Sequence, residues 1–383
     1  MRKLSSIVVA LILGIVLASY KTDDKPKKFG KSSVQIEIEG LGTTLMPISI
    51  ESLDGTELHR KLKLSFNGKI KFKVPVQKTS QVFIKPGTRE VRKGSVFRSM
   101  NIIFFIDPES ETIIKGRKND ISIDYDIIEG NTLSFQQNEF RKYFLPYWEK
   151  ESVLLNQQNV LRKTNPVESH RFKEQFDSLR FFVVAPLRTE WAKRHLDYEL
   201  VPTFFLDGHV PRDTAIKYLN LLSQNARQSY RGQILDGMVS GWINAQEGKI
   251  APDFEYYTYL NDRFELSNLK GKYVVLDFWG TWCGPCIAGM PRMIEYYNKY
   301  KDRLEFVGIA CNDKKPDWEK FIRENQNNWI NIFNDKSIND ISVLYGVTGY
   351  PTKFIIDKEG KIIEKFVGEG DKFYNKLDEI MSD

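Results

Sequence analysis

Hydrophobic and polar residues alternate with a period of two over the first part of the chain. Residues 34–40 (VQIEIEG) alternate cleanly, as a half-buried β-strand does, because successive side chains of a strand point to opposite faces. Similar strand-like runs follow at residues 80–87, 101–108 and 121–128. The pattern predicts an antiparallel β domain over residues 34–130.

The dipeptide Asn67-Gly68 indicates a hairpin within this region, because apolar residues alternate on both sides of it. A two-residue turn would mix the apolar and polar faces of the two strands. A three-residue loop with a glycine bulge sets Phe66 opposite Ile70 and keeps one face apolar, so we expect that register.

The periodicity changes to that of helices from residue 131 onward. Large aromatic side chains recur at helical spacing in residues 131–150, where Pro146 interrupts the run. A second stretch, residues 211–224, repeats apolar residues on one helical face. We predict a mostly helical region over residues 131–245, in which the aromatic stripe is packed core rather than a ligand-binding surface.

Strand and helix patterns alternate in residues 246–383. Residues 272–279 (KYVVLDFW) and 303–310 (RLEFVGIA) are near-continuous apolar runs, as expected of central strands that are covered on both faces. Residues 352–369 predict a hairpin. A strand, a helix, a second strand, then a hairpin and a final helix describe a small α/β domain.

The composition is that of an ordinary globular protein. The chain has 383 residues, of which 41% are hydrophobic and 28% charged, and it is long enough for two or three domains. The net charge of +6 is mild and both signs are interspersed, so we do not expect nucleic-acid binding. The densest basic segment, residues 23–31, is interpreted as a solvated tether.

The N-terminus has the pattern of an export signal. Basic residues precede the apolar residues 7–18, which predicts a signal peptide over residues 1–18 and a polar linker over residues 19–33. The apolar run is too short for a comfortable transmembrane helix. Tyr20 stands where a bacterial lipoprotein carries its lipidated cysteine, which argues against a lipid anchor and leaves an uncleaved N-terminal anchor open. We expect a periplasmic or cell-envelope location.

Two of the three cysteines, Cys283 and Cys286, lie between an apolar strand and a helical pattern. A cysteine at a helix N-terminus meets unpaired N–H groups and the positive end of the helix dipole, which lower the thiol pKa. Cys286 lies one turn further in, where it can attack a mixed disulfide formed at Cys283. Gly284 permits the tight approach and Pro285 suits the first helical turn. This arrangement predicts a dithiol/disulfide exchange centre.

Other interpretations of the cysteine pair are weaker. Haem attachment needs a histidine directly after the second cysteine, where Ile287 stands. A structural zinc site needs about four ligands, whereas Cys311 is the only further cysteine and none of the four histidines lies in this domain. Three cysteines are too few for a disulfide framework. A static disulfide and a metal site stay as disfavoured alternatives.

Several motifs of the C-terminal third agree with one known family. Residues 251–254 (APDF) and 266–286 (LSNLKGKYVVLDFWGTWCGPC) are similar to the start and the active-site strand of that family. Pro291 stands where thioredoxins carry the proline of the active-site helix, and residues 345–362 resemble the segment that bears a cis-proline. On these motifs the chain resembles the TlpA/ResA-like thiol-disulfide oxidoreductases, which have a thioredoxin-like fold and are related to the AhpC/TSA superfamily. The resemblance implies that fold for residues 246–383.

The resemblance also implies roles for individual residues. Cys283 would be the attacking thiol and Cys286 the resolving one, together forming a redox-active disulfide. The loop with a cis-proline would pair its backbone with the substrate peptide. The implied substrate groove is formed by Trp282, which shields the site, and by Gly284, Pro285, Tyr350 and Pro351.

Asp277, six residues before Cys283, matches the buried acid with which thioredoxins help to deprotonate the second cysteine. A carboxylate in an apolar strand should have a raised pKa, as a proton acceptor near neutral pH requires. The TlpA/ResA group often uses an acid at the end of the next strand instead, and Asp313 is the nearest match. The alternative is an aspartate that is merely satisfied by a neighbouring lysine.

Cys311 departs from the family pattern. It is interpreted as a small buried residue without a function of its own. The alternative is a side route in which Cys311 traps Cys283 or Cys286.

We expect an exported enzyme that has no organic cofactor and no metal and that reduces disulfides of envelope proteins. The Gly-Pro dipeptide matches that of thioredoxin, which favours a reductant, and a membrane electron donor would then be needed. The alternatives are a dithiol oxidase or disulfide isomerase, and a non-catalytic peptide-binding module. The N-terminal region resembles a β domain with following helices that is commonly fused ahead of such domains. The open alternatives for its role are to position substrate, to mediate homo-oligomerisation or to contact the envelope.

Overall fold

The computed structural model describes residues 30–41, 48–53, 57–60, 68–84, 101–206, 210–325, 327–335 and 339–382. The predicted signal peptide, most of the predicted linker and Phe66 of the predicted hairpin lie outside these residues.

The strand-rich region forms two four-stranded sheets within the described residues. Its strands are β1 (Gly30–Glu39), β2 (Ile48–Ser52), β3 (Glu57–Arg60), β4 (Lys69–Val76), β5 (Ser80–Ile84), β6 (Ile102–Ile106), β7 (Glu111–Lys118) and β8 (Ile123–Glu129). One sheet has the order β4-β1-β7-β8 and the other the order β3-β2-β5-β6. The alternating pattern of the sequence explains the core, because Val34, Ile36 and Ile38 of β1 are all fully buried against apolar residues of both sheets.

One strand pair departs from the predicted antiparallel arrangement. β1 runs parallel to β7, with Ile36 opposite Ile114, while the other pairs of both sheets are antiparallel. Parallel neighbours need a long crossover connection. Here the chain between β1 and β7 forms β2 and β3 of the second sheet, then β4 of the first, then β5 and β6 of the second. The parallel pairing therefore follows from the two-sheet arrangement and not from any local pattern.

The middle region is helical, as predicted. Its α-helices are α1 (Thr132–Leu161), α2 (Pro166–Leu179), α3 (Ala185–Arg194), α4 (Arg212–Leu219), α5 (Gln224–Gln228) and α6 (Tyr230–Asn244). A π-helical turn (Arg180–Val184) joins α2 to α3, and a 3₁₀ helix (Val201–Leu206) follows α3.

Helix α1 continues through Pro146 instead of ending there. The proline ring faces solvent, so water can satisfy the carbonyl that loses its helical partner. On the opposite face Phe140 and Phe144 are buried, and the Phe140 ring stacks on Phe204 with centroids 4.5 Å apart. Packing of the aromatic stripe therefore outweighs the helix-breaking effect of the proline, and the stripe is core as predicted.

The described part of the C-terminal region has seven strands, of which five form a mixed sheet between two layers of helices and two form a separate hairpin. Its strands are β9 (Glu255–Tyr257), β10 (Arg263–Glu265), β11 (Tyr273–Trp279), β12 (Leu304–Ala310), β13 (Ile330–Phe333), β14 (Thr352–Ile356) and β15 (Ile362–Val367). Its helices are α7 (Gly284–Tyr300), α8 (Lys315–Asn325), α9 (Ile341–Leu344) and α10 (Asp371–Ser382), with a 3₁₀ helix at Leu266–Leu269.

The order of the central sheet is β13-β12-β11-β14-β15, and β9 and β10 form a separate hairpin. β11 runs parallel to β12 and antiparallel to β14. The apolar run of β11 is buried on both faces, as its sequence predicts. Val275 and Trp279 face helices α7, α8 and α10, whereas Phe278 faces the side of α9.

Helix α6 contacts the C-terminal region through glycine. A Cβ atom on Gly241 would lie 2.4 Å from the backbone nitrogen of Gly346 and 2.6 Å from the carbonyl oxygen of Val343. The indole Nε1 of buried Trp242 donates a hydrogen bond of 3.1 Å to the Gly346 carbonyl. The helical region is therefore packed against the segment that leads into Tyr350 and Pro351.

We expect Gly241→Ala to destabilise the protein by about 1–3 kcal/mol, the usual cost of overpacking. Alanine has the higher helix propensity by about 1 kcal/mol, so a loss of stability would identify the clash with backbone atoms as its cause. Thermal unfolding followed by calorimetry measures the effect. Gly370→Ala is the control, because nothing lies within 4 Å of its Cβ position; equal stability of both variants would contradict the close contact.

Candidate active site

Cys283 and Cys286 form a disulfide at the N-terminus of helix α7. Cys283 is the N-cap residue, and its sulfur accepts a hydrogen bond of 3.3 Å from the backbone N–H of Cys286. Pro285 lies in the first turn, and Pro291 lies inside the helix. Both cysteines are nearly buried, with exposed fractions of 4% and 5%. The placement between a central strand and a helix is that predicted from the sequence.

Asp313 holds the turn that leads into Cys283. Its carboxylate accepts hydrogen bonds from the backbone N–H of Thr281 (2.6 Å), the Thr281 hydroxyl (2.7 Å) and the backbone N–H of Lys314 (2.8 Å). Asp313 therefore fixes the backbone just before the first cysteine. Its participation as a proton acceptor stays a prediction.

Trp282, which directly precedes Cys283, is held by contacts with Cys311 and Tyr350. Its side chain is 53% exposed, and its Nε1 donates a hydrogen bond of 3.0 Å to the carbonyl oxygen of Cys311. Its ring meets that of Tyr350 edge-on, with centroids 5.4 Å apart. The close fit requires Gly280, because a Cβ there would lie 2.4 Å from the indole nitrogen.

The peptide bond between Tyr350 and Pro351 is cis, as expected from the motif. Tyr350 packs against the apolar cluster that contains both cysteines. The Pro351 carbonyl accepts a hydrogen bond of 2.8 Å from the backbone N–H of Gly368, next to Val367, which is 70% exposed. Tyr350 thus supplies apolar surface beside the disulfide, and Trp282 and Val367 are exposed apolar side chains in contact with or next to this loop.

A buried ion pair lies on the face of the sheet that carries the disulfide. Asp277 is opposite Lys353 in the register of β11 and β14, and both side chains are at most 5% exposed. Lys353 Nζ lies 3.5 Å from Asp277 Oδ1, which is an ion-pair contact but too long for a well-formed hydrogen bond. Lys353 Nζ lies closer, at 2.8 Å, to Glu369 Oε2.

Burial raises the pKa of the Asp277 carboxyl, and the positive charge of Lys353 opposes this only in part. Burial acts to lower the pKa of Lys353, but the charge of Asp277 and the hydrogen bond to Glu369 outweigh it, so that this pKa is raised. The ammonium group is thus held as a cation beside a carboxyl that has an increased affinity for a proton.

Two residues of this cluster were not identified from the sequence. Lys353 interrupts the apolar run of β14, and a lysine that is 2% exposed needs charged partners. That interruption was the available signal for Lys353. Glu369 lies in the loop after β15, where its sequence position gives no indication of burial against the lysine.

Cys311 lies on the other face of the sheet. It belongs to the apolar cluster that also contains Phe278 and Tyr345, whereas the disulfide belongs to the cluster of Trp279 and the helices of the opposite layer. Burial raises the pKa of its thiol, and its sulfur accepts a hydrogen bond of 3.4 Å from Asn334. These features favour the interpretation as a small buried residue.

Among the described residues there is no group of three or more His, Cys, Asp or Glu side chains that could hold a metal ion. A helix that is long and apolar enough to cross a membrane is likewise absent from the part of the chain that the structure describes.

The fold and the disulfide define the C-terminal region as thioredoxin-like. A family model described as Thioredoxin-like matches residues 271–362. Thiol-disulfide oxidoreductase ResA of Bacillus anthracis is 39% identical over 128 residues, which cover 33% of this chain and 73% of that protein. ResA of Bacillus subtilis (strain 168) is 34% identical over 137 residues, covering 35% of this chain and 75% of that protein.

The chain belongs to the ResA-like family of thiol-disulfide oxidoreductases. Among solved structures, the thioredoxin domain of a thiol-disulfide oxidoreductase from Bacteroides vulgatus is similar, at 30% identity and a TM-score of 0.33. That similarity covers 35% of this chain and 97% of the other.

Proposed function

We propose that the protein reduces disulfide bonds of other proteins through Cys283 and Cys286. The observation that carries this proposal is the bonded cysteine pair at the N-terminus of α7, next to the loop with the cis-proline. A helix N-terminus stabilises a thiolate, which is the nucleophile in disulfide exchange. The nearly buried position of both sulfurs favours exchange with a docked protein over exchange with small thiols.

In the proposed reaction the reduced enzyme supplies two electrons. The Cys283 thiolate attacks a substrate disulfide, forms a mixed disulfide and releases one substrate sulfur as a thiolate. Cys286 then loses its proton and attacks the Cys283 sulfur, which forms the intramolecular disulfide and releases the second substrate sulfur. The substrate has gained two electrons, and an external dithiol donor must return the enzyme to its reduced state.

Asp277 is proposed as the acceptor of the Cys286 proton. It lies on the same face of the sheet as the disulfide, and its carboxyl has a pKa raised by burial. A base whose pKa lies nearer to the working pH takes up and returns a proton more effectively than an ordinary aspartate.

The substrate groove is proposed to be lined by Trp282, Gly284, Pro285, Tyr350 and Pro351. An extended peptide would align with the backbone of the cis-proline loop, and the exposed Trp282 ring and the partly buried Tyr350 ring would contact its side chains. Apolar rims with hydrogen-bonding backbone fit peptide segments better than polar small molecules.

Export to the cell envelope and re-reduction by a membrane donor are part of the proposal. The basic and apolar pattern of residues 1–18 supports the first, and the requirement for electrons in an oxidising compartment supports the second. Self-association is proposed as a further role of residues 34–245, and the size of the protein in solution tests it.

We expect the Cys283–Cys286 pair to have a reduction potential near that of thioredoxin, ~-270 mV, because the Gly-Pro dipeptide is shared. Equilibration with a series of thiol buffers, followed by tryptophan fluorescence, measures it. Cys311→Ser is the control and should leave the potential unchanged. A potential towards ~-120 mV would instead assign the protein as a disulfide donor or isomerase.

A further inference from the structure

The side chain of Glu369 fills the space that Gly289 leaves open in helix α7. A Cβ on Gly289 would lie 2.5 Å from the Glu369 carboxyl carbon and 2.6 and 2.8 Å from its two oxygens. Gly289 is three residues after Cys286, on the adjacent turn of the same helical face. The Glu369 carboxylate is therefore inserted against the helix one turn below the second cysteine.

Glu369 and Asp277 share one buried lysine. Lys353 Nζ lies 2.8 Å from Glu369 Oε2 and 3.5 Å from Asp277 Oδ1. The second oxygen of Glu369 accepts a hydrogen bond of 2.7 Å from the Tyr374 hydroxyl of α10. The Glu369 side chain is 21% exposed, so the cluster runs from the buried Asp277 to a group that water reaches.

The charges in this cluster are unequal, because two carboxylates face one ammonium. The shorter contact of Lys353 is with Glu369, which leaves Asp277 with the longer one and with an oxygen that has no well-formed hydrogen bond. A proton added to Asp277 makes the cluster neutral. The arrangement thus favours proton uptake at Asp277 over a closed Asp277–Lys353 ion pair.

We propose that Glu369 is a positioning residue that holds Lys353 away from Asp277, so that Asp277 can accept the proton released by Cys286 and return it in the reverse step. This inference rests on the proposed function, since it assigns a role within that exchange reaction. The proton moves from the Cys286 sulfur to an Asp277 oxygen while Lys353 stays protonated and bound to Glu369.

The groups around Asp277 support this role. Glu369 adds to the effect of burial in raising the Asp277 pKa, and Lys353 opposes it. Further titratable groups near this cluster include Cys286 on α7, Cys283 at its N-cap, Tyr374 on α10 and Cys311 directly after β12. Arg292 of α7 lies over the Tyr374 ring and is paired with Asp371. Among the described residues, Lys353 is the only charged group in an ion pair with Asp277, and Glu369 is the only other carboxylate paired with Lys353.

The inference makes opposite predictions for two variants. Glu369→Gln removes a negative charge and frees Lys353 for Asp277, so the rise of the exchange rate with pH should move to lower pH. Lys353→Met removes the positive charge, so the same rise should move to higher pH. Each displacement should reach at least half a pH unit, or about a threefold change of rate on the rising limb. Stopped-flow tryptophan fluorescence between pH 4.5 and 9, with a protein disulfide as the substrate, measures both.

The control is Glu379→Gln, which removes an exposed carboxylate of α10 that is paired with Lys376 and should leave the profile in place. The inference would be overturned if the pH profiles of both variants moved in the same direction, or if the pH profile of Glu369→Gln did not move. A wild-type protein that exchanges no disulfide would refute the proposed function, which is a different result from an active protein with unmoved profiles. If Glu369→Gln loses its near-ultraviolet circular dichroism, the variant is not folded and the test rests on Lys353→Met. An unchanged pH profile of Lys353→Met would contradict a lysine that is shared by Glu369 and Asp277.

Discussion

Replacing Cys283 with serine should lower the rate of disulfide exchange to that of the uncatalysed reaction. A hydroxyl group is not ionised near neutral pH and cannot replace the thiolate that attacks the substrate. The reduction of a protein disulfide, followed by the aggregation of the released chains or by a fluorescent thiol reporter, measures the loss. The fold should persist, because Cys283 is the N-cap of α7 and serine is among the preferred residues at that position.

Cys286→Ser provides the matched comparison. Its Cys283 thiol can still attack, but nothing resolves the product, so a stable mixed disulfide with the substrate should accumulate. Mass spectrometry of the trapped adduct should locate the linkage at Cys283. Cys311→Ser should retain full activity, because Cys311 is buried on the opposite face of the sheet. Full function of Cys283→Ser would support a peptide-binding module without catalysis, and a Cys311 linkage would support the side route.

Asp277→Asn should lower the exchange rate at neutral pH by about 10²–10⁴-fold, the usual contribution of a positioned proton acceptor. The asparagine side chain keeps the size of the aspartate but cannot take up the proton of Cys286. The loss should fall on the resolving step, so the mixed disulfide should live longer in the variant than in the wild type. Quenching the reaction with acid at successive times and separating the adduct by mass spectrometry measures that lifetime.

The same substitution should increase stability at neutral pH. The pKa of Asp277 is raised in the folded protein, so the unfolded chain releases this proton at lower pH than the folded chain does. Stability therefore falls as pH rises from the unfolded pKa of about 3.9 to the folded value, and asparagine is free of that penalty. The thermal midpoint of Asp277→Asn should exceed that of the wild type at pH 7, and the difference should vanish below about pH 4.

A fall in both activity and stability at pH 7 would show instead that the ion pair with Lys353 is mainly structural. That outcome would correspond to the alternative of an aspartate satisfied by a neighbouring lysine. Lys353 keeps its contact with Glu369 in this variant, so the cation is not left without a partner.

The chain's periodicities were sufficient to predict several strands, among them β1, β5 and β11, and the helical character of the middle region. Val34, Ile36 and Ile38 alternate because one face of their strand is buried, and the unbroken apolar run of β11 reflects a strand covered on both faces. The position of the cysteine pair at a helix N-terminus was predictable for the same reason. Each of these features depends on residues that are close together in the sequence.

The contacts between those strands and helices could not be predicted from the periodicity of the sequence. The parallel pairing of β1 with β7 depends on the path of the chain through a second sheet, and α1 passes Pro146 because its aromatic face is packed against other helices. The contact of Gly241 with Gly346 likewise joins two distant segments. Such contacts depend on how distant segments pack together, and the local hydrophobic pattern does not indicate which segments those are.

The sequence by itself determined the types of elements, the α/β character of the C-terminal region and the dithiol motif at the start of a helix. Only the tertiary structure decided what surrounds Asp277. Lys353 reaches it through strand register, and Glu369 reaches Lys353 because the loop after β15 folds over the gap at Gly289. A buried charge is tolerated only with charged partners, and those partners come from separate elements whose meeting depends on the completed fold.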